Sequence, residues 1–271
     1  YGFNALGVEV AWVVDDNGVL PGFDHELGSA LSAEMLRQGV TLVQGSAASE
    51  LIPGEHGVTC RLVNGDTYRA EEAFVGIGRR PDVDGLGLEE AGLEGFDDGI
   101  AIDAYGRTDV ETVFAAGDVT GQPMTANRAM EQARVAGLAA AGVETDPVLP
   151  ESFVRAAYSH PQIAQVGTPP AAARNGRASL RVASAELQRQ LQPLVENDDE
   201  TPCGFLRLVY DKEDSGRIVG GTAFGRGAAD LLAPVSLAVR EGMTIDRLAT
   251  RAVGHPTLSE AAFAAAKSVA I

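Results

Sequence analysis

Apolar residues along this chain alternate between short strand-like runs and helical patterns. Val8–Val14 is almost continuously apolar, which is typical of a strand buried in a parallel sheet. Residues 24–38 carry apolar side chains at every fourth position, and this spacing predicts a helix with one buried face. Val40–Val43 is the next apolar run. The order of strand, helix and strand predicts an α/β architecture.

Later patterns predict antiparallel strands and a closing set of helices. Val58–Leu62 and Thr67–Arg69 flank Asn64-Gly65, which is a strong hairpin signal. Gly204–Tyr210 and Arg217–Thr222 predict a second antiparallel pair. Short strands are also expected at 100–102 and 113–115, and helices at 124–141, 227–241, 244–251 and 258–268.

Prolines and turns divide the chain into three regions, 1–80, 81–147 and 148–271. The last region has the pattern of an α+β unit with helices packed on one sheet. Its apolar helix face at 228–239 exceeds what one thin sheet layer needs to cover. We therefore expect this face to be exposed and to form a dimer interface.

Composition limits the classes of function. The chain has 271 residues, of which 45% are hydrophobic, and its net charge is −17. This charge disfavours binding to nucleic acid or to an anionic membrane, and no apolar run reaches the ~20 residues that span a bilayer. Cys60 and Cys203 have no metal-site spacing and indicate a reducing compartment, so we expect a cytoplasmic protein without a bound metal.

The acidic excess has two readings that the sequence leaves open. Lys212 and Lys267 are the only lysines, and arginines supply the other basic residues. Surface carboxylates in such excess fit a salt-adapted cytoplasm. They equally fit plain solubility.

The segment Thr112–Gly121, TVFAAGDVTG, carries candidate binding chemistry. A predicted strand runs into Ala116-Gly117-Asp118, and a helix is expected to begin near Pro123 and Met124. Small residues allow close approach to the backbone, and Asp118 can accept hydrogen bonds from sugar or ribityl hydroxyls. The helix start offers free N–H groups to a phosphate. The plainer alternative is a strand-turn-helix in which Asp118 caps the helix.

This segment resembles the second flavin-binding motif of the FAD-dependent pyridine nucleotide–disulfide oxidoreductases, the family of dihydrolipoamide dehydrogenase, glutathione reductase and mercuric reductase. The resemblance implies that Asp118 binds FAD. Met124, Thr125, Ala126 and Asn127 stand where the family has MLAH, a loop and helix start against the flavin. Thr125 and Asn127 depart from that pattern, so a backbone role is expected there rather than a side-chain role.

His255-Pro256-Thr257-Leu258-Ser259-Glu260 matches the family signature HPTxSE. The resemblance implies that His255 is the catalytic acid–base and that Glu260 orients it. Dithiol–disulfide exchange moves a proton on and off a thiol, and imidazole is suited to that transfer. Val253 departs from a second histidine that relatives often carry there. The alternative is a loop histidine followed by an ordinary first-turn glutamate.

The first region resembles part of the family's NAD(P) domain. GIGRRPD at 76–82 resembles the family's IGRRPN, which implies that Gly78 lies close to the nicotinamide nucleotide. Asp15 and Asp16 follow the predicted strand whose end selects the cofactor. No arginine stands between Val14 and Asp24, and carboxylates would repel a 2′-phosphate, so NAD is favoured over NADP. The alternative is two solvated turn aspartates.

The resemblance assigns 1–80 to a partial NAD(P)-binding domain, 81–147 to the C-terminal part of an FAD domain and 148–271 to the interface domain. The fold class is thus α/β, a truncated doubly wound half followed by an α+β dimerisation unit. In this family the catalytic histidine comes from the partner subunit, which implies a homodimer. The family's GxGxxG and redox CxxxxC motifs are absent, so we expect a fragment of a longer flavoprotein that is inactive alone.

The predicted function is that of a flavin-dependent, NAD(P)H-linked disulfide oxidoreductase resembling dihydrolipoamide dehydrogenase, acting on a small thiol or disulfide or on a lipoyl domain. Mercuric, mycothiol and glutathione-type reductases are the enzymatic alternatives. A non-catalytic dimerisation or binding module is the alternative from another class.

Overall fold

The computed structural model describes residues 1–190 and 204–270. The described residues form two compact units, one combining Tyr1–Val75 with the segment from Val154 onward and the other comprising Gly76–Phe153. Most of the first and of the last predicted region thus lies in one unit, while residues 76–80 and 148–153 belong to the other. The assignment of three functional regions stays a prediction. Of the two cysteines, Cys203 lies outside the described residues and Cys60 is a free thiol.

The segment before residue 76 contains a parallel strand pair and an antiparallel hairpin sheet. Its elements are α1 (Gly2–Ala5), β1 (Ala11–Val14), α2 (His25–Arg37), β2 (Thr41–Gln44), β3 (Ala48–Gly54), β4 (Gly57–Leu62) and β5 (Thr67–Ala70). β1 and β2 pair in parallel, and β3, β4 and β5 form an antiparallel sheet in that order. The predicted helix at 24–38 and the hairpin around Asn64-Gly65 are confirmed.

The unit Gly76–Phe153 has one long helix, α3 (Ala126–Ala140), and short 3₁₀ turns at Asp118–Thr120 and Pro150–Ser152. The strands predicted at 100–102 and 113–115 are wrong, since neither segment forms a strand. A strand needs a hydrogen-bonded neighbour along its length. Phe114 makes only a single bridge, to Arg107, and the N–H of Ile100 makes one bond to the carbonyl of Val119.

The remaining segment builds a five-stranded antiparallel sheet covered by helices. The strands are β6 (Arg155–Ala157), β7 (Gln162–Gly167), β8 (Leu180–Glu186), β9 (Phe205–Asp211) and β10 (Arg217–Gly225), in the order β6-β7-β10-β9-β8. The helices are α4 (Pro170–Arg174), α5 (Ala228–Leu231), α6 (Ala233–Arg240), α7 (Ile245–Ala249) and α8 (Glu260–Lys267). The single helix predicted at 227–241 is two helices, because Pro234 has no N–H to continue the hydrogen-bond ladder.

The apolar face at 228–239 is not an exposed patch, which corrects the sequence expectation. Its residues are almost fully buried within the chain's own core, against the sheet: Ala228, Leu231, Leu232, Val235, Ala238 and Val239. Leu237, which is 56% exposed, lies on the opposite side of α6. Any dimer therefore has to use other residues than this face.

The other face of the sheet packs against α2. Ile163 and Phe224 lie opposite each other on β7 and β10 and share a buried cluster with Leu27, Leu31 and Met35. Polar contacts reinforce this packing. The fully buried carboxylate of Asp24, the N-cap of α2, accepts from the N–H groups of Glu26 and Ala171 and from the guanidinium of Arg174. These contacts join the segment before residue 76 to the segment from Val154 onward within one unit.

Among the described residues, no helix combines the length and the apolar character that crossing a membrane requires. The same residues contain no group of three His, Cys, Asp or Glu side chains arranged to hold a metal ion.

Candidate active site

His255 and Glu260 form a hydrogen-bonded pair at the start of α8. Nδ1 of His255 lies 2.9 Å from Oε1 of Glu260. A carboxylate can only accept, so the proton of the pair belongs to Nδ1 and the neutral imidazole presents Nε2 as a base. The His255 side chain is 62% exposed. In the described part of the chain its Nε2 has no hydrogen-bond partner. The arrangement can exchange a proton with a bound molecule.

The local fold fixes the Glu260 carboxylate. Glu260 is the first residue of α8, and its Oε2 accepts a 2.8 Å hydrogen bond from the N–H of Thr257. The Oγ1 of Thr257 donates in turn to the carbonyl of Gly254 and contacts Oγ of Ser259. The hydrogen bond with His255 and the N–H of Thr257 lower the pKa of Glu260. The carboxylate is therefore charged and oriented at neutral pH.

α8 is anchored by small buried residues. Ala261, Ala262, Ala265 and Ala266 are fully buried in the core that the sheet and its helices share. Such close packing leaves little freedom to the first turn of α8, so Glu260 has a defined position.

In the other unit, the segment Gly117–Thr125 forms a compact loop before α3. Gly117 and Gly121 have φ of 85° and 81°, which L side chains rarely adopt. The N–H of Gly117 and the hydroxyl of Thr120 donate to Oε1 of Gln132 on α3. Arg128 donates to the carbonyls of Gly121 and Pro123 and to the hydroxyl of Thr120. We call this segment the 117–125 loop.

Asp118 lies in the 117–125 loop and is ion-paired. Nη2 of Arg79 donates to Oδ2 of Asp118 at 2.6 Å, and Nη1 donates to the carbonyl of Met124 at 3.3 Å. Oδ1 of Asp118 carries no hydrogen bond within the described residues. Asp118 starts a 3₁₀ turn and does not cap α3, whose N-cap is Thr125. The alternative of Asp118 as the cap of this helix is therefore wrong.

The four residues predicted against the flavin lie at the start of α3. Met124 is buried, and Ala126 and Asn127 open the helix and are exposed. The Thr125 side chain does not cap the helix, and its Oγ1 is buried without a hydrogen-bond partner among the described residues. A buried hydroxyl in this state is suited to a ligand that supplies the missing partner.

The two residues predicted to bind the nicotinamide nucleotide lie in different units. Asp15 follows β1, is exposed, and accepts hydrogen bonds from the N–H and the side-chain amide of Asn17, which closes the turn. Gly78 has φ of 141°, a conformation that favours glycine. Their role in nucleotide binding stays a prediction.

Comparison with known proteins decides the family. The model of the family described as "Pyridine nucleotide-disulphide oxidoreductase" matches residues 1–133. The model of that family's dimerisation domain matches residues 153–266. The chain belongs to this oxidoreductase family. The resemblance inferred from the sequence is confirmed, as is the mixed α/β fold with a dimerisation domain.

Similar family members are about 30% identical to this chain. Dihydrolipoyl dehydrogenase of Geobacillus stearothermophilus is 32% identical over 266 residues, which cover 97% of this chain and 56% of that protein. Dihydrolipoyl dehydrogenase 2 of Haloarcula marismortui is 32% identical over 269 residues, with the same coverage. The crystal structure of LpdA from Mycobacterium tuberculosis has a TM-score of 0.90 at 27% identity and covers 99% of this chain and 58% of that one. The chain thus spans about half the length of these oxidoreductases.

Sequence reasoning missed several residues that shape the 117–125 loop. Arg79 stands in the quoted GRRP motif, from which only Gly78 was assigned a role. Arg128 and Gln132 are buried polar residues of α3, one turn apart. Long polar side chains that recur on the buried face of an amphipathic helix are a signal that they hydrogen-bond to a neighbouring segment, here the 117–125 loop.

Proposed function

We propose that this chain is part of a flavin-dependent, NAD(P)H-linked disulfide oxidoreductase most like dihydrolipoyl dehydrogenase. The hydrogen bond between His255 and Glu260, at 2.9 Å within an HPTLSE motif, carries the proposal. The two side chains form an acid–base pair that is open to solvent. The family to which the chain belongs is described as one of disulfide oxidoreductases. The complete protein would move electrons between a nicotinamide, FAD and a thiol or disulfide.

His255 would hold and move the proton of the sulfur chemistry. When a dithiol is oxidised, Nε2 takes a proton from the attacking thiol, and in the reverse direction it returns that proton. Glu260 keeps the proton of Nδ1 in place and stabilises the imidazolium that forms. The carboxylate itself stays charged, because its pKa is lowered by the contacts with His255 and Thr257.

The residues of the 117–125 loop fit FAD. Asp118 offers a free oxygen to a ribityl hydroxyl, Thr125 has a buried hydroxyl without a partner, and the first turn of α3 has no side-chain cap to compete with a phosphate. Met124, Ala126 and Asn127 would contribute their backbone. Bound FAD supplies the carrier for the electron pair between the nicotinamide and the sulfur atoms.

NAD is the proposed nicotinamide cofactor, with NADP less favoured. Asp15 and Asp16 stand at the carboxyl end of β1, where parallel sheets bind nucleotides. Gly78 would give the nucleotide close access to the backbone. Steady-state kinetics of the complete protein test this preference, and a higher kcat/KM with NADPH than with NADH contradicts it.

The proposed partners are a second copy of the chain and a thiol or disulfide substrate. The match of residues 153–266 to a dimerisation domain supports a homodimer. A small dithiol or a lipoyl domain is the proposed substrate, and the free thiol of Cys60 supports a reducing, cytoplasmic location. Mercuric, mycothiol or glutathione-type reductase activity is the alternative for the same residues.

One experiment separates these possibilities. The complete protein is purified, its flavin spectrum is recorded, and NAD reduction by dihydrolipoamide is compared with NAD(P)H oxidation by glutathione disulfide, mycothiol disulfide and mercuric ion. We expect stoichiometric FAD and the highest kcat/KM with dihydrolipoamide. Purified protein without flavin, and inactive with every substrate after addition of FAD, supports a non-catalytic module instead. The 271-residue chain alone is expected to bind neither FAD nor NAD tightly.

A further inference from the structure

Arg79 ties the turn after Gly78 to the 117–125 loop at two points. Its Nη2 donates to Oδ2 of Asp118 at 2.6 Å, and its Nη1 donates to the carbonyl oxygen of Met124 at 3.3 Å. Asp118 is 39 residues from Arg79 in sequence, and Met124 is 45 residues away. One guanidinium therefore sets the separation between the two ends of this loop.

Gln122 holds the backbone of Arg79 from the other direction. Its Nε2 donates to the carbonyl oxygen of Arg79 at 3.1 Å, and its Oε1 accepts from the N–H of Met124 at 3.2 Å. The hydrogen bonds form a closed ring through Arg79, Met124 and Gln122. This ring, which includes the bond from Nη1 to Met124, directs the guanidinium at Asp118.

The ion pair itself contributes little to folding stability. The side chain of Arg79 is 63% exposed and that of Asp118 is 42% exposed, and exposed pairs of this kind add little. Its effect is on geometry and charge instead. Arg79 occupies Oδ2 and leaves Oδ1 available, so it fixes the direction in which Asp118 can accept from a ligand. It also neutralises a carboxylate that would otherwise face an anionic ligand in a chain of net charge −17.

We propose that Arg79 is the positioning residue of the flavin site: it orients and neutralises the Asp118 carboxylate for a hydroxyl-bearing, pyrophosphate-containing ligand. This rests on the proposed function, because that ligand is FAD. Arg80, the next residue, makes no side-chain hydrogen bond or ion pair in the described part of the chain. The neighbouring arginine is therefore a control of equal charge.

The test compares Arg79→Gln with Arg80→Gln in the complete protein. Each apoprotein is titrated with FAD, the dissociation constant is measured from flavin fluorescence, and the visible circular dichroism of bound flavin is recorded. Arg79→Gln is expected to weaken FAD binding by roughly 10–100-fold, the value of one charge-assisted hydrogen bond, and to change the flavin dichroism. Arg80→Gln is expected to stay within about twofold of wild type.

A double-substitution cycle and a conservative variant separate positioning from a merely structural effect. Because Arg79 acts through Asp118, adding Arg79→Gln to Asp118→Asn is expected to cause much less loss than Arg79→Gln alone. Arg79→Lys keeps the charge but cannot bridge Asp118 and Met124 as a fork, so it should restore part of the affinity. Equal losses in both backgrounds would overturn the proposal.

The outcomes also distinguish this inference from the proposed function. Wild-type protein that binds no FAD at all refutes the function, and the inference fails with it. Wild-type protein that binds FAD, together with Arg79→Gln binding within twofold of it, refutes the inference alone. If Arg79→Gln does not fold, Arg79→Lys decides: several-fold weaker binding supports the role, and unchanged affinity contradicts it.

Discussion

The imidazole of His255 and the carboxylate of Glu260 lie 2.9 Å apart, and the second oxygen of the same carboxylate is held by the N–H of Thr257. The pair is thus organised from the helix outward. The buried alanines fix α8, α8 fixes Glu260, and Glu260 fixes the orientation and the proton of His255. The exposed Nε2 of the imidazole is then the atom that can exchange a proton with a bound molecule.

His255→Gln in the complete protein should slow the dithiol–disulfide half-reaction by roughly 10²–10⁴-fold, the usual contribution of general acid–base catalysis. Reduction of the flavin by NAD(P)H, or its reverse, should stay nearly unchanged, because only the sulfur chemistry needs this proton transfer. Stopped-flow absorbance of the two separated half-reactions measures both rates.

Glu260→Gln is the matched variant for this test. Glutamine keeps a hydrogen-bond acceptor for Nδ1 and removes the charge, so the loss should be smaller than for His255→Gln. A thiol half-reaction at wild-type speed in His255→Gln would mean that the HPTLSE motif is only structural. The function would then rest on similarity of fold alone.

Local signals were sufficient to predict those elements that depend on nearby residues. Helix α2 follows from its four-residue apolar spacing. The hairpin of β4 and β5 follows from Asn64-Gly65. His255 and Glu260 are five residues apart in sequence, so a match to the short motif is enough to predict that they are paired.

Long-range relationships could not be predicted in this way. The strands expected at 100–102 and 113–115 have enough apolar residues, but their backbones make only isolated hydrogen bonds and one bridge, between Phe114 and Arg107. A sequence pattern does not report the extent of pairing. Arg174 contacts Asp24 across 150 residues, and Arg79 contacts Asp118 across 39. Such contacts depend on how the elements pack.

Asp24→Ala should destabilise the unit that contains α2 by about 2–4 kcal/mol, since it removes a helix cap, takes the acceptor from the N–H of Ala171 and leaves Arg174 with only its longer contact to Glu26. Urea denaturation followed by circular dichroism measures the change. Asp16→Ala, at an exposed turn position without a side-chain hydrogen bond in the described residues, should stay within about 0.5 kcal/mol. Equal losses from both variants would contradict the structural role of Asp24.

The stabilising contribution of Glu34 should be lost in acid. Its pKa is lowered chiefly by the hydrogen bonds from Arg37, with burial opposing the shift and Gln38 adding to it. A carboxyl with a folded-state pKa below its ordinary 4.5 stabilises the fold above that pH. The contribution disappears as the pH falls through the lower folded-state pKa.

Glu34→Gln tests this dependence through the free energy of unfolding measured between pH 3 and pH 7, values chosen on either side of that ordinary pKa. The wild type should exceed the variant most at neutral pH, and the difference should shrink as the pH falls below the ordinary pKa. A difference that grows in acid would reverse the sign and contradict the hydrogen-bonded arrangement of Glu34 with Arg37 and Gln38.

Arg128→Met should loosen the 117–125 loop. Arg128 is 8% exposed and donates to the carbonyls of Gly121 and Pro123 and to Thr120. Methionine removes this donor from the Gly121 carbonyl and the Thr120 hydroxyl, while the Pro123 carbonyl keeps the N–H of Thr125. Burial lowers the pKa of Arg128, which shows that its charge carries a desolvation cost that methionine removes. The net loss should therefore be moderate, about 1–3 kcal/mol.

Arg134→Met, on the same helix, is the control, because this exposed arginine pairs with Glu131 on the surface and should contribute less than about 1 kcal/mol. Hydrogen exchange separates the two variants better than global unfolding does, since it reports opening of individual segments. Arg128→Met should increase exchange at the N–H groups of Thr120 and Gly121, which are hydrogen-bonded inside the loop, and at that of Gly117, which donates to Gln132 on α3. Unchanged exchange there, with the same global stability as Arg134→Met, would show that Gln132 holds the loop without Arg128.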